Sequence, residues 1–358
     1  MNEIIFLIIF IVFIAFALAL DLGVFNKNSH VISFKESLMF SSLWVVLALL
    51  FFVFLRYGGH LLHNIDNMSQ LAEVNLRYGH HIDFKDGATF AENLQLYRNQ
   101  MSLEFITGYV IEYAMSIDNI FVMLLIFTSF GVEQKYYHRV LFWGIIGAVV
   151  MRFAFIFILS GLVHKFAWIL AIFGVILIYT AIKMFVNRNK QQKVDIENNK
   201  VVKFVSKHFA VTSHFSEGHF FVKENGKKMI TPLLLVLLIV EGSDVIFAVD
   251  SVPAIFSITQ DQYLVFFSNI FAIVGLRSLF FMLSSLVNLF HYLKSGLSVL
   301  LAFVGVKILL ESFTDIHISV GISLAIILSV IVLCILLSLI FPPKDKHEKL
   351  QEIVVEEK

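Results

Sequence analysis

The chain has little of what soluble enzymes and secreted modules are built on. Its 358 residues include one cysteine, Cys334, so no disulfide framework can form within a chain and no cysteine-based metal site is possible. Proline is scarce, at four residues, and only 15% of the residues are charged. Lysine plus arginine equals aspartate plus glutamate at 27 each, so the formal net charge is zero. That balance excludes bulk nucleic-acid binding through a basic surface. There is no HExxH helix, and no Ser or Cys nucleophile sits in a recognisable setting with a His base, so an enzyme is not expected. The first apolar run, Ile4 to Leu20, lacks a basic n-region and a small-residue cleavage site, and reads as a retained helix rather than a signal peptide.

What is abundant is apolar surface. Hydrophobic residues make up 58% of the chain and phenylalanine alone numbers 39, a composition that a soluble protein could not cover with polar groups. A bilayer-spanning helix needs about 20 predominantly apolar residues. Nine segments meet that need: 4–20, 38–55, 105–130, 139–163, 167–186, 231–258, 264–290, 295–312 and 318–341. The expected fold is an all-α membrane protein with about nine transmembrane helices, embedded in a lipid bilayer.

Loop charge sets the expected orientation. One set of loops, with the tail after Pro342-Pro343, carries 18 Lys and Arg, from Lys27 to Lys358, and the opposite set carries five: Arg56, Arg77, Lys85, Arg98 and Lys165. The N-terminus is therefore expected outside and the C-terminus in the cytoplasm, in a bacterial inner membrane. Loop 56–104 faces out and contains six acids with His60, His63, His80 and His81. It reads as a solvated loop in preference to a metal-capturing antenna. Loop 187–230 is basic, and its Asn225-Gly226 pair between strand-like flanks predicts a short hairpin leading into the next span.

The two halves of the chain repeat. Glu112-Tyr-Ala-Met-Ser-Ile-Asp118-Asn119 in the first half answers Asp244-Val-Ile-Phe-Ala-Val-Asp250-Ser251 in the second, with Glu241 one turn earlier. Arg152 and Arg277 follow in matching contexts, and Lys183 and Lys307 come 31 and 30 residues after them. Four charged landmarks in one order delimit a three-helix unit, at 105–186 and 231–312. Three is odd, so the second copy enters the membrane from the opposite face. That is an inverted repeat, the plan of many secondary transporters, with the site near midplane where the copies meet. The chain divides into two N-terminal helices (1–55), the outer loop (56–104), repeat 1 (105–186), the basic loop (187–230), repeat 2 (231–312), a last helix (313–341) and a tail (342–358).

Ionisable groups inside a membrane cost about 2.5–3.5 kcal/mol each on insertion scales and are usually functional. Glu112, Asp118, Glu241, Asp244 and Asp250 face Arg152, Arg277, Lys183 and Lys307 in this respect. The plainer alternative, ion pairs that only hold the bundle together, is disfavoured because buried pairs are weak stabilisers compared with apolar packing. Glu112, Ser116 and Asn119 share one helix face, whereas Asp118 lies about 120° from Glu112. Pro253 cannot donate to the Val249 carbonyl, which predicts a kinked or broken helix beside Asp250. Carboxylate, amide, hydroxyl and carbonyl oxygens suit Mg²⁺, Ca²⁺ or Mn²⁺ better than Zn²⁺ or Cu⁺. The candidate metal ligands are thus Glu112, Asp118, Asn119, Glu241, Asp244, Asp250 and Ser251. Met115 and Met123 read as packing residues.

At these residues the chain resembles the TerC/Alx family of bacterial membrane proteins, named for tellurium resistance and related to the LysE-type exporters. The resemblance runs from Leu18-Ala-Leu-Asp21-Leu through Phe105–Phe121 and His219-Phe-Phe-Val. It is densest in Glu241–Ile255 and Ser268-Asn269-Ile-Phe-Ala-Ile-Val-Gly-Leu-Arg277. Met115, Gly242 and a longer loop 56–104 depart from it. The resemblance implies export of Mn²⁺ as a transported substrate with no permanently bound cofactor. It also implies a role in supplying metal to exported proteins, with exported metalloproteins or the Sec machinery as partners. It carries the acidic motifs over at the residues named above. Proton exchange is the natural coupling, because a carboxylate that releases a cation can take up protons. A scaffold for metalation or tellurite-stress resistance, without flux of its own, is the competing class. Export of a basic amino acid is a variant of the first.

Overall fold

The computed structural model describes residues 3–25, 34–80, 82–84, 87–166, 168–187, 218–224, 227–284, 292–314 and 316–340, with short pieces at 202–203, 207 and 209–212. Eleven α-helices and one β-hairpin account for most of these. They are α1 (Glu3–Phe25), α2 (Phe34–Gly58), α3 (Met68–Arg77), α4 (Phe90–Ser129), α5 (Gln134–Lys165), α6 (Trp168–Val186), β1 (Phe221–Glu224), β2 (Lys227–Ile230), α7 (Pro232–Phe256), α8 (Gln262–Val274), α9 (Leu276–Ser284), α10 (Leu293–Phe313) and α11 (Val320–Ile340). Among the described residues, eight helical stretches are long and apolar enough to cross a membrane, α8 and α9 counting together as Gln262–Ser284. The ninth expected segment, 4–20, is also helical, but its apolar stretch, Glu3–Ala19, is shorter. The chain is a multi-pass, all-α membrane protein.

Two local expectations change and a third holds. The stretch 56–104 is not an open solvated loop. A short 3-10 turn and α3 lie within it, and α4 begins at Phe90, fifteen residues before the expected span. A capping box starts α4: the Thr89 hydroxyl accepts from the Glu92 amide and the Glu92 carboxylate accepts from the Thr89 amide. At 40 residues α4 is roughly 60 Å long, longer than a bilayer is thick, so its first turns stand outside the apolar core. Second, α7 does not break at Asp250. It runs unbroken through Asp250 and Pro253 to Phe256. The proline lies so close to the helix end that it removes one bond from the last turns without dividing the helix. The interruption lies instead at Gly275, between α8 and α9. Third, the predicted hairpin forms, with Phe221 opposite Ile230 and Glu224 opposite Lys227. The turn residues 225–226, most of 187–217, residues 285–291 and the tail 341–358 lie outside the described residues.

Helix α8 is the centre of the bundle. Every residue from Tyr263 to Val274 is buried, as a helix apolar all round must be. Helices α4, α5 and α2 pack on it, and α7 packs on α4 and α5. A phenylalanine seam fills the space between α1, α2, α4 and α8: the Phe10 and Phe267 ring centroids are 4.3 Å apart, Phe51 and Phe105 5.0 Å, and Phe51 and Phe271 5.2 Å. Outward-facing Ile, Leu, Val and Phe on α1, α2, α6 and α11 form the lipid-facing surface. Helix α6 lies along α10, where Gly174 and Gly305 let the backbones approach closely.

Candidate functional site

Four helices each deliver a polar group to one buried point. Arg152 of α5, fully enclosed, lies between Glu112 of α4 and Asp244 of α7. Its Nε and Nη2 donate to the two oxygens of Asp244 at 3.1 and 2.9 Å, a bidentate pair. Its Nη1 donates to Glu112 Oε1, and also reaches Asn269 Oδ1 at 3.1 Å and Ser251 Oγ at 3.4 Å. Asn269 of α8 closes the ring by donating from Nδ2 to Glu112 Oε2 at 2.8 Å. Two carboxylates and one guanidinium leave the cluster one negative charge in excess.

The remaining candidate residues distribute around this cluster. Glu241, one turn before Asp244 on α7, is half-buried, and its buried Oε2 has no hydrogen-bond partner among the described residues. The Glu241 carboxylate lies against Gly147 of α5 so closely that any side chain there would collide with it. A cavity of about 20 Å³, the size of one water, is bounded by Glu241, Asp244 and Arg277 together with Met123 and Ala148. Ser116 and Asn119 are buried on the Glu112 face of α4, as their spacing predicts, and Ser116 Oγ and Asn119 Nδ2 have no partner among the described residues. Asp118 is half-buried, off that face. Asp250 accepts from Thr180 Oγ1 of α6 at 3.3 Å and lies within electrostatic reach of the exposed Lys183.

The seven predicted ligands therefore do not converge on one point. Among the described residues, no three His, Cys, Asp or Glu side chains stand close enough to enclose a metal ion. Glu112, Asp244 and Ser251 meet at Arg152, Glu241 adjoins them, and Asp250 turns to Thr180 of α6. Of the four basic residues, Lys307 is remote from this cluster. It is buried, donates to the Ser257 carbonyl and is 3.7 Å from Glu311. It lines a larger cavity of about 610 Å³ with His80, Gln100 and Thr259.

Sequence reasoning missed Asn269 as a site residue. A lone amide in the apolar run Val265–Val274 was the available signal. It also missed a second polar cluster at the end of the bundle where α1 begins. His63 and His80, read as solvated, are buried. His63 bonds Glu3 at 2.8 Å and Asp261 at 2.9 Å, and His80 bonds Glu104 at 2.8 Å. Glu104 also accepts from Thr259 Oγ1 at 2.7 Å and from Gln100 Nε2 at 2.9 Å.

A multi-pass bundle with a saturated arginine–carboxylate cluster between its central helices defines an integral membrane protein with a polar site inside its core. Comparison with known sequences makes the assignment specific. Residues 97–346 match the Integral membrane protein TerC family. The chain is 41% identical over 314 residues to the membrane protein STKORF319 of Myxococcus xanthus, covering 88% of this chain and 86% of that one. It is 40% identical over 333 residues to a membrane protein of Rickettsia bellii, covering 93% and 96%. It is 36% identical over 314 residues to Alx of Escherichia coli K12, whose name describes a membrane-bound redox modulator, covering 87% and 88%. No solved structure matches. The chain belongs to the TerC family.

Proposed function

We propose that this protein is a secondary transporter that exports a divalent cation, Mn²⁺ above all, from the cytoplasm in exchange for protons, with the N-terminus outside a bacterial inner membrane. The observation that carries the reading is the free Glu241 oxygen beside Asp244, on a cavity of one water's size next to a carboxylate cluster already held by Arg152. A cation entering from the cytoplasmic end of α7 meets Glu241 before Asp244. There it competes with Arg152 for the Asp244 and Glu112 oxygens. Ser251 and Asn269 add neutral oxygens, a donor set that favours hard cations. Manganese in particular rests on the family resemblance, not on this geometry.

Helix packing supports an inverted repeat. The third helices of the two units, α6 and α10, pack on each other, and α4 against α8 answers α5 against α7, the exchange that a two-fold axis requires. Rocking of the two units about that axis would alternate access to the cluster. Asp118 and Asp250 would lie on the route. The redox role in the names of the Alx relatives has less to act through here. Cys334 is the one cysteine in the chain, so dithiol exchange within a chain is excluded.

The test is Mn²⁺ flux into proteoliposomes holding the purified protein, with Mg²⁺, Ca²⁺ and Zn²⁺ as competitors and with an imposed proton gradient. Saturable Mn²⁺ movement lost in Glu241→Gln, Asp118→Asn and Asp250→Asn supports the reading. Absence of flux for every cation favours the scaffold class.

A further inference from the structure

The second polar cluster is built around one imidazole. His63 follows the turn after α2. Its Nδ1 contacts Glu3 Oε1 of α1 at 2.8 Å and its Nε2 contacts Asp261 Oδ2 at 2.9 Å. Asp261 is the N-cap of α8, its Oδ1 accepting from the Tyr263 amide at 2.9 Å. Tyr78 and Tyr263 donate their hydroxyls to Glu3 at 2.9 and 3.1 Å. The His63 and Asp261 side chains are wholly enclosed. Both ring nitrogens face carboxylates, and only the doubly protonated imidazolium can donate to both.

We propose that Glu3, His63 and Asp261 form a protonation-dependent latch that fastens the start of α1 to the start of α8.

Loss of one proton leaves His63 a single N–H. One of its two carboxylate contacts then becomes a lone pair against an anion, and two buried acids share no cation. Burial by itself would favour the neutral ring, but the Asp261 and Glu3 carboxylates override it and hold the His63 pKa up to about 9. The ordinary value is 6.5, so the sign is fixed: the stabilisation is complete below pH 6.5 and is lost as pH rises through about 9. The charged and titratable groups around the ring enter this balance, among them Tyr97, buried against His80 and within electrostatic reach of Asp261, Glu3 and Tyr78. Tyr78 and Tyr263 pack on it at centroid distances of 4.5 and 5.9 Å, and Arg77 lies over Tyr78 at 5.3 Å. His80, with its own carboxylate Glu104, stands beyond Tyr78. The phenylalanine seam between α1 and α8 does not titrate, so opening is confined to the end of the bundle. In the orientation proposed above, the latch answers to pH outside the cell. Asp261 and Asn269 lie on one helix, eight residues or roughly 12 Å apart, so the latch also bears on the buried cluster.

The experiment is hydrogen exchange of the first turns of α1, with thermal melting, on the purified full-length protein in nanodiscs from pH 6.5 to 10. In the wild type, after correction for intrinsic exchange, protection of these turns is expected to fall by roughly tenfold per pH unit between pH 6.5 and about 9 and to level off above it, and the Tm is expected to drop in the same window. His63→Gln should be flat across it. Glu3→Gln, which leaves His63 on Asp261, should move the midpoint to lower pH. It also serves if His63→Gln does not fold. A wild-type profile that is flat between pH 6.5 and 9, or a Glu3→Gln midpoint that stays in place, overturns the latch. None of these readouts involves transport, so the outcome is separate from that of the flux experiment.

Discussion

Arg152 and Asp244, 92 residues apart in sequence, meet in a two-point contact at 2.9 and 3.1 Å that joins the second helix of one half to the first helix of the other. Removing either partner strands a charge in the bundle core. Arg152→Ala leaves both Glu112 and Asp244 uncompensated, and a destabilisation of about 3–5 kcal/mol is expected. Arg152→Lys keeps the charge but not the fork, and should fall between. If the pair acts as a unit, Arg152→Gln combined with Asp244→Asn will melt well above the position that the two single changes predict by addition. Additive melting temperatures would mean that the two residues are not coupled.

Asn269 sits at the junction of this network, accepting from Arg152 and donating to Glu112. Asn269→Ala leaves Glu112 Oε2 without that donor, a loss of about 1–3 kcal/mol. Asn269→Asp should be worse despite its similar shape, because it replaces a donor with a third anion. Melting curves of the two variants side by side decide this: equal stability would show that shape and not charge matters at position 269.

Much of the architecture is legible in the sequence, because a bilayer leaves few alternatives. Apolar runs of spanning length become helices, and a charge inside one, such as Glu112, Arg152 or Asp244, stands out against its neighbours. Other features were hidden for physical reasons. Asn269 is neutral and differs little from a packing residue until its partners are known. His63 lies in a mixed stretch, Leu61-Leu62-His63-Asn64-Ile65, and finds its carboxylates 60 and 198 positions away. No local pattern reports such pairings. The spacing of Glu112 and Asp118 does announce two faces of α4. It does not show that Arg152 stands between Glu112 and Asp244, nor that Asp250 turns toward Thr180. The break expected at Pro253 fails because a proline near a helix end removes one bond where few remain.

The crossing of α6 and α10 depends on two small residues. A Cβ at position 305 would lie 2.9 Å from the Gly174 carbonyl oxygen and 2.8 Å from Ile178 Cγ1. Backbone cannot yield as a flexible side chain can, so Gly305→Ala should force the helices apart and cost about 1–3 kcal/mol. Gly161→Ala and Gly321→Ala provide the control, since a Cβ at either position meets nothing within 4 Å among the described residues. Both should melt with the wild type. Equal melting of Gly305→Ala would show that the α6–α10 contact carries little of the bundle's stability.

Gly147 offers the sharpest probe of Glu241. The Glu241 carboxylate occupies the space where a side chain at position 147 would begin. Gly147→Ala must therefore displace that carboxylate, either toward Asp244, where two anions repel, or out of the small cavity they share. Stability should fall, and any cation transport that uses the free oxygen should fall with it. Shortening the displaced residue removes the collision, so Gly147→Ala combined with Glu241→Ala should recover the melting temperature lost by Gly147→Ala alone. It should not recover flux, because the carboxylate is gone. The two readouts separate the roles: recovered stability without flux marks Glu241 as a group the transported ion uses. Recovery of both would make its carboxylate dispensable and place the ion's path elsewhere, along Asp118 and Asp250.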